Sequence, residues 1–277
     1  MISETVLTTF GEGSLDSRLV DENGRLLFSK CSRPRLALRS AFINLNYAWP
    51  LQLGIPLESA IDYSANHTDR IKKEVKTLRL WEQEDILASR VHRAGGNFVT
   101  VHYIPDTVSC KRALDVNLNP DIFERLMDRY TQIRDVAKRK RNSDYLHSDP
   151  TLVNFLYDYE RDLVVAIDPG TVLNPSMDFD TLDAHILART LRDVANIEQP
   201  EEDIARYVRM FKEQMSEEDV ARVTSIPHVI PEVIQTYFEI RDLAVAAIKG
   251  RKFVDTLAPL KTYCARYHAF IEDILLE

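Results

Sequence analysis

Glycine is scarce in this chain, with 8 among 277 residues. That argues against a repeat-built or all-β fold, in which tight turns recur at short intervals. Cysteine is scarcer still. Cys31, Cys110 and Cys264 are widely spaced and form no C-x-x-C pair, which excludes a disulfide frame or a zinc knuckle and reads as free thiols in a reducing compartment. No apolar run approaches the roughly 18 residues of a membrane span, and the start, Met1 to Leu7, has no basic region followed by an apolar core. A cytoplasmic protein is therefore expected. Positive charge is also in deficit: 35 Lys and Arg against 43 Asp and Glu give a net charge of −8. A general nucleic-acid binder needs a basic footprint, so that class is disfavoured, although a local phosphate site is not.

What is present is enough apolar material for a core, 45% of residues, with 28% charged. At 277 residues the chain suits one large domain or two lobes sharing a cleft. The most informative stretch is His147-Ser-Asp149-Pro-Thr-Leu-Val-Asn154, followed by Ile167-Asp168-Pro-Gly170. Phe155–Tyr157 and Leu163–Ile167 are apolar, β-rich runs separated by the polar turn 158–162. A hairpin of those runs brings Asn154 and Asp168 to one end. Two oxygen ligands distant in sequence can then share Mg²⁺, a hard ion that takes a few carboxylates plus phosphate oxygens.

These two motifs, in this order and separation, resemble the catalytic loop H-x-D-x-x-x-x-N and the D-x-G metal loop of the protein-kinase-like superfamily. The resemblance implies that Asp149 accepts the proton of an attacking hydroxyl, that Asn154 and Asp168 hold Mg²⁺ against ATP, and that His147 organises the loop. Ser148 stands where protein kinases usually place Arg, and Pro169 where they usually place Phe. Both departures look more like the aminoglycoside, sugar and lipopolysaccharide-core branch. The fold so implied is α+β and bilobal. Residues 1–106 form a small antiparallel sheet with one helix near 68–81, and residues 107–277 form a mostly helical lobe.

The amino-terminal residues suit that expectation. Thr5–Phe10, Ser17–Val20 and Arg25–Lys30 read as strands, the last two joined by Glu22-Asn-Gly24. By the resemblance, Gly11 and Gly13 sit in a phosphate-covering loop that lacks a third glycine, and Lys30 pairs the ATP α- and β-phosphates. Alternation places Leu26, Phe28 and Lys30 on one strand face. Residues 31–67 read as an insertion whose Arg33, Arg35 and Arg39 could meet an anion or form a solvated face.

Thr68 reads as an N-cap for a helix to about Trp81, with Ile71, Val75, Leu78 and Trp81 on one stripe. Glu74 lies inside that stripe, where a carboxylate is costly unless paired, so its expected partner is Lys30; Glu82 is the rival. Ile86–Arg93 and Asn97–Ile104 read as strands around Gly95-Gly96. The segment His102-Tyr103-Ile104 resembles the superfamily hinge, whose backbone hydrogen-bonds adenine.

A helix is expected from Asn119-Pro120-Asp121, with Ile122, Leu126, Tyr130 and Ile133 in period and Lys138–Arg141 at its C-terminus, where cations favour the dipole. Further helices are expected at roughly 180–195, 200–215, 217–223, 231–248 and 256–275. Asp178 and Asp180 could bind a cationic acceptor or cap the helix that starts there. No Ala-Pro-Glu follows the metal loop at an activation-segment distance.

The reading so reached is an ATP- and Mg²⁺-dependent transfer of the γ-phosphoryl group to a hydroxyl of a small molecule or glycan. The alternatives are a protein serine/threonine kinase and a catalytically silent pseudokinase or binding module. The acidic balance favours a cationic or neutral acceptor.

Overall fold

The computed structural model describes residues 4–10, 16–31, 60–62, 65–226, 239, 242, 243, 246 and 258–277. Gly11, Gly13, Arg33, Arg35 and Arg39, and most of the helix expected at 231–248, lie outside the described residues.

Strands β1 (Glu4–Phe10), β2 (Asp16–Glu22), β3 (Arg25–Cys31), β4 (Val91–Ala94) and β5 (Phe98–His102) form an antiparallel sheet in the order β1-β2-β3-β5-β4. The β2–β3 turn is Asn23-Gly24, with φ of 55° and 78°. Consecutive left-handed residues match the twist of a two-residue hairpin, and an Asn-Gly pair tolerates them best. Asp21 Oδ1 accepts from the Gly24 N–H at 2.7 Å and closes the turn.

Helix α1 (His67–Gln83) lies between β3 and β4 in the chain. Its cap is Asn66 and not Thr68. The Asn66 side chain accepts from the Asp69 N–H at 3.1 Å while Asp69 Oδ2 accepts from the Asn66 N–H at 3.2 Å, a reciprocal capping box that Thr68, two residues later and next to Asp69, cannot make. Ile71, Leu78 and Trp81 bury the expected stripe. The same helix reaches into the second half of the chain: Trp81 Nε1 donates to the Tyr145 carbonyl at 2.8 Å, and Thr77 Oγ1 to the Asp144 carbonyl at 2.9 Å.

The strand expected over Ile86–Arg93 is shorter, because its first half serves another sheet. Ser89 N–H donates to the Ala166 carbonyl at 3.1 Å and Ala166 N–H to the Leu87 carbonyl at 3.2 Å, so residues 87–89 run beside β8 (Leu163–Ala166). That second sheet has the order β6-β7-β8, with β6 (Thr107–Ser109) and β7 (Phe155–Asp158) antiparallel; β6 was not foreseen.

The remaining long elements among the described residues are helices: α2 (Cys110–Asp115), α3 (Ile122–Lys140), α4 (Phe179–Ala195), α5 (Glu201–Lys212), α6 (Glu217–Thr224), α7 (Ala258–Arg266), a π segment (Tyr267–Ile271) and α8 (Glu272–Leu276). Among the described residues no helix is long and apolar enough to cross a membrane. The start of α3 falls after Pro120, with Asp121 at the cap position. Its C-terminal cations pair with carboxylates: Arg139 and Lys140 with Glu84, both at 2.8 Å, and Lys138 with Asp219 at 3.0 Å.

One buried charge cluster pins the helices together. Arg134 on α3 donates through Nη2 to Asp183 of α4 at 2.7 Å and pairs with Asp219 of α6 at 2.6 Å. Burial would raise the Asp219 carboxyl, but the Arg134 guanidinium, the Ser216 N–H and Lys138 hold it well below the usual range. Removing one partner of a buried ion pair strands the others. Arg134→Met should therefore cost about 3 kcal/mol in a denaturant melt. A loss under roughly 1 kcal/mol would place the cluster with surface pairs, which contribute little.

Candidate active site

The β7–β8 hairpin places the motif residues. Phe155 pairs with Ala166, and the Ile167 N–H donates to the Asn154 carbonyl at 2.9 Å, so Asn154 and Asp168 leave the same end of the hairpin. Asp168 has φ of 54°, a left-handed backbone uncommon for a residue with a side chain. Such conformations persist where surrounding contacts over-determine them, and they cluster at functional sites.

Those contacts are visible. Lys30 Nζ lies 2.8 Å from Glu74 Oε1 and 2.9 Å from Asp168 Oδ1. A strand, a helix and the Asp168 loop thus meet on one ammonium group. On that strand face Leu26 is 38% exposed, Phe28 packs against the core and Lys30 is only 7% exposed. Glu74 is deep, and Glu82 instead faces Arg90 on the surface. Gly170 closes the corner: a Cβ there would lie 3.4 Å from the Arg70 carbonyl, from Asp168 Oδ1 and from Glu74 Oε2.

The electrostatics follow from this packing. Burial alone would push the Lys30 ammonium down, but the Glu74 and Asp168 charges and hydrogen bonds raise it well above its ordinary value. Burial lifts the Glu74 carboxyl from 4.5 to about 7 against the pull of Lys30, and the Asp168 charge adds to the rise. Asp168 goes the other way: burial would raise it, but the charge and hydrogen bond of Lys30 hold it below the ordinary carboxylate range. Of the two carboxyls, Asp168 is the one kept ionised and available to a cation.

The catalytic-loop motif is ordered by its own bonds. Asn154 Nδ2 donates to the Asp149 carbonyl at 2.9 Å, which commits the amide nitrogen and leaves Oδ1 as the side-chain oxygen able to meet a hard cation. A carboxylate and an amide oxygen at one hairpin end suit Mg²⁺ with phosphate oxygens filling its remaining positions. Among the described residues no group of three or more His, Cys, Asp or Glu could hold a metal by itself. His147 is buried between Trp81, at 5.3 Å, and Phe155, at 4.9 Å. Burial lowers its pKa to about 4, against the charges of Asp149 and Asp168, so its ring is neutral at physiological pH. Ser148 and Pro169, the two departures in the motifs, bond to each other. Ser148 Oγ donates to the buried Pro169 carbonyl at 2.9 Å and couples the two loops.

Along His102–Ile104, the His102 N–H donates to the Arg90 carbonyl and the Tyr103 N–H to the Leu26 carbonyl, at 2.9 and 3.1 Å, while Thr107 Oγ1 donates to the Ile104 carbonyl at 3.1 Å. His92 faces His102 across the strands at 5.4 Å and bonds Glu22, a neighbour that sequence alone did not place there. Asp178 caps α4, accepting from the Thr181 N–H at 2.9 Å, and Asp180 pairs with Arg141 and Arg222. Capping accounts for the first acid and ion pairing for the second, so neither stands ready for a cationic acceptor.

Two residues of the site were not foreseen. Arg189 Nη2 donates to Asp149 Oδ1 at 2.7 Å, and the Asp193 carboxylate accepts from the Leu152 N–H. The signal was available: Arg189 interrupts the run Ile186-Leu-Ala-Arg-Thr-Leu191 as Glu74 interrupts its own stripe.

No protein-family model matches the chain, and no curated protein matches it. Among solved structures it is similar to the PknI kinase domain of Mycobacterium tuberculosis, at 12% identity and a TM-score of 0.42, covering 97% of this chain and 96% of that one. It is also similar to the choline kinase LicA of Streptococcus pneumoniae, at 14% identity and a TM-score of 0.40, covering 100% and 94%. The chain's own architecture is α+β: a five-stranded antiparallel sheet with one helix between its third and fourth strands, then a mostly helical part carrying a hairpin that presents Asn154 and Asp168.

Proposed function

We propose that this protein transfers the γ-phosphoryl group of ATP to a hydroxyl of a small molecule or glycan. The observation that carries the reading is Lys30 held between Glu74 and Asp168 while Asp149 and Asn154 lie on the adjoining loop. Phosphoryl transfer through a loose transition state asks the protein for alignment and charge neutralisation more than for covalent chemistry.

Lys30, held by Glu74, supplies a cation for the α- and β-phosphates. Asn154 and Asp168 would hold Mg²⁺, which when bound neutralises the β- and γ-phosphate oxygens. Asp149 aligns the acceptor hydroxyl and takes its proton as the oxygen bonds to the γ-phosphorus and ADP leaves. Its Oδ1 is engaged by Arg189, so Oδ2 is the atom for that proton. His147, neutral and enclosed by rings, orients the loop. The adenine contact falls to the Ile104 N–H and the hinge carbonyls, since the N–H groups of His102 and Tyr103 are bonded within the protein.

A small acceptor is favoured over a protein by the stretch after Gly170. Asp62 N–H donates to the Val172 carbonyl at 2.8 Å and Asn174 N–H to the Ala60 carbonyl at 2.9 Å, and α4 begins at Phe179. That short, pinned connection offers no long segment on which a peptide could dock.

The test is ADP release from ATP and Mg²⁺ across a panel of sugars, amino alcohols and aminoglycosides. At least one member should stimulate turnover, and the stimulation should vanish on chelation of Mg²⁺. Stimulation by protein substrates alone would reassign the acceptor.

A further inference from the structure

We propose that Arg189 is a positioning residue of the transfer step, acting through Asp149. This rests on the function proposed above. Arg189 and Asp193 are one helical turn apart on α4, so they share a face. That face grips the catalytic loop at two points with opposite charges: the Arg189 guanidinium on Asp149 Oδ1, and the Asp193 carboxylate on the Leu152 N–H.

The helix that carries them is well anchored. Asp178 caps its start, Leu182, Ile186, Leu187 and Leu191 bury its apolar side, and Asp183 ties it to Arg134. The Arg189 and Asp149 side chains are 18% and 27% exposed, so the pair is shielded enough to hold one geometry. A lone aspartate turns about two side-chain bonds and presents either oxygen. With Oδ1 fixed, the other oxygen is aimed, and ordering it before the reaction is the kind of alignment that catalysis exploits. Arg189 meets no reacting atom in this role.

The test compares Arg189→Ala and Arg189→Lys with the unaltered protein, reading ADP release from ATP and Mg²⁺ with water alone and with the acceptor panel. Arg189→Ala should lower kcat by about 10²-fold, the cost typical of a misplaced reacting group. Its KM for ATP should stay within about threefold, because the lost interaction does not bind nucleotide. Added guanidinium ion at millimolar levels should restore part of kcat, and Arg189→Lys should fall between alanine and arginine. If Arg189→Ala fails to fold in a thermal melt, Arg189→Lys decides: reduced kcat at an unchanged melting point supports the proposal, and unaltered kcat overturns it. An unchanged kcat in folded Arg189→Ala, a loss carried by KM for ATP, or a raised kcat that marks Arg189 as a lock on Asp149 would each overturn it and leave the functional reading standing. If the unaltered protein turns over under none of these conditions, the functional reading falls and takes this inference with it.

Discussion

Asp149→Asn should remove turnover while leaving nucleotide binding nearly intact. The carboxamide keeps the size of the side chain and can still orient a hydroxyl, but it cannot accept the hydroxyl proton. General-base assistance is typically worth about 10²–10⁴ in rate, so kcat should fall by that amount with little change in KM for ATP. The contrast follows from where Asp149 sits. It bonds Arg189 through Oδ1 and Asn154 through its backbone carbonyl, whereas Lys30, the cation proposed to meet the nucleotide, is held by Glu74 and Asp168. A steady-state comparison checks it, with the ATP-induced rise in melting temperature as a separate binding readout. Normal turnover in this variant would remove Asp149 from the chemistry.

Lys30→Met is expected to have the second large effect, on both rate and stability. The rate should fall by about 10²–10³-fold, the usual cost of losing one preorganised charge at a transition state. Stability should fall as well, because two carboxylates then face each other without the ammonium. The loss should stay below the ~3–5 kcal/mol of a fully buried broken pair. Asp168 is 46% exposed on its side chain, and Glu74 can take up a proton.

That proton gives the effect a pH signature. Glu74 titrates near 4.5 in the unfolded chain and at about 7 in the folded one, so its raised value stabilises the protein below pH 4.5 and that contribution is lost as pH rises through 7. Without Lys30 the Glu74 carboxyl rises further. At pH 6 it is neutral in the variant and harmless; at pH 8 it is ionised opposite Asp168 or must bind a scarce proton. The gap between Lys30→Met and the unaltered protein in thermal melts should therefore be wider at pH 8 than at pH 6. An equal gap would show that Lys30 does not neutralise Glu74.

The parts of this site that could be read from sequence were those with a local rule. Apolar runs around a polar turn located the hairpin under Asn154 and Asp168. A carboxylate inside an apolar helical stripe singled out Glu74, and strand alternation put Lys30 on a defined face. What escaped the sequence depends on partners far along the chain. Asn66 won the α1 cap over Thr68 through a reciprocal bond with Asp69, a difference of two residues that composition does not resolve. Residues 87–89 looked like the start of β4 because they are apolar, but their hydrogen bonds go to Ala166 in the other sheet. Arg189 and Asp149 are 40 residues apart, and only the packing of α4 on the loop brings them together. The cluster of Arg134, Asp183 and Asp219 was unread for the same reason. Lys138–Arg141 reads in sequence as a set of dipole-complementing cations, yet each pairs with a carboxylate on another element.

The central claim is that Lys30, Glu74, Asn154 and Asp168 make one site for ATP with Mg²⁺. Calorimetric titration of the protein with ATP, in the presence and absence of Mg²⁺, tests it most directly. The account predicts saturable binding that tightens by at least about tenfold, or 1.4 kcal/mol, when Mg²⁺ is present, and loss of that tightening in Asp168→Asn. Binding of equal strength with and without Mg²⁺, or no binding at all, would contradict it.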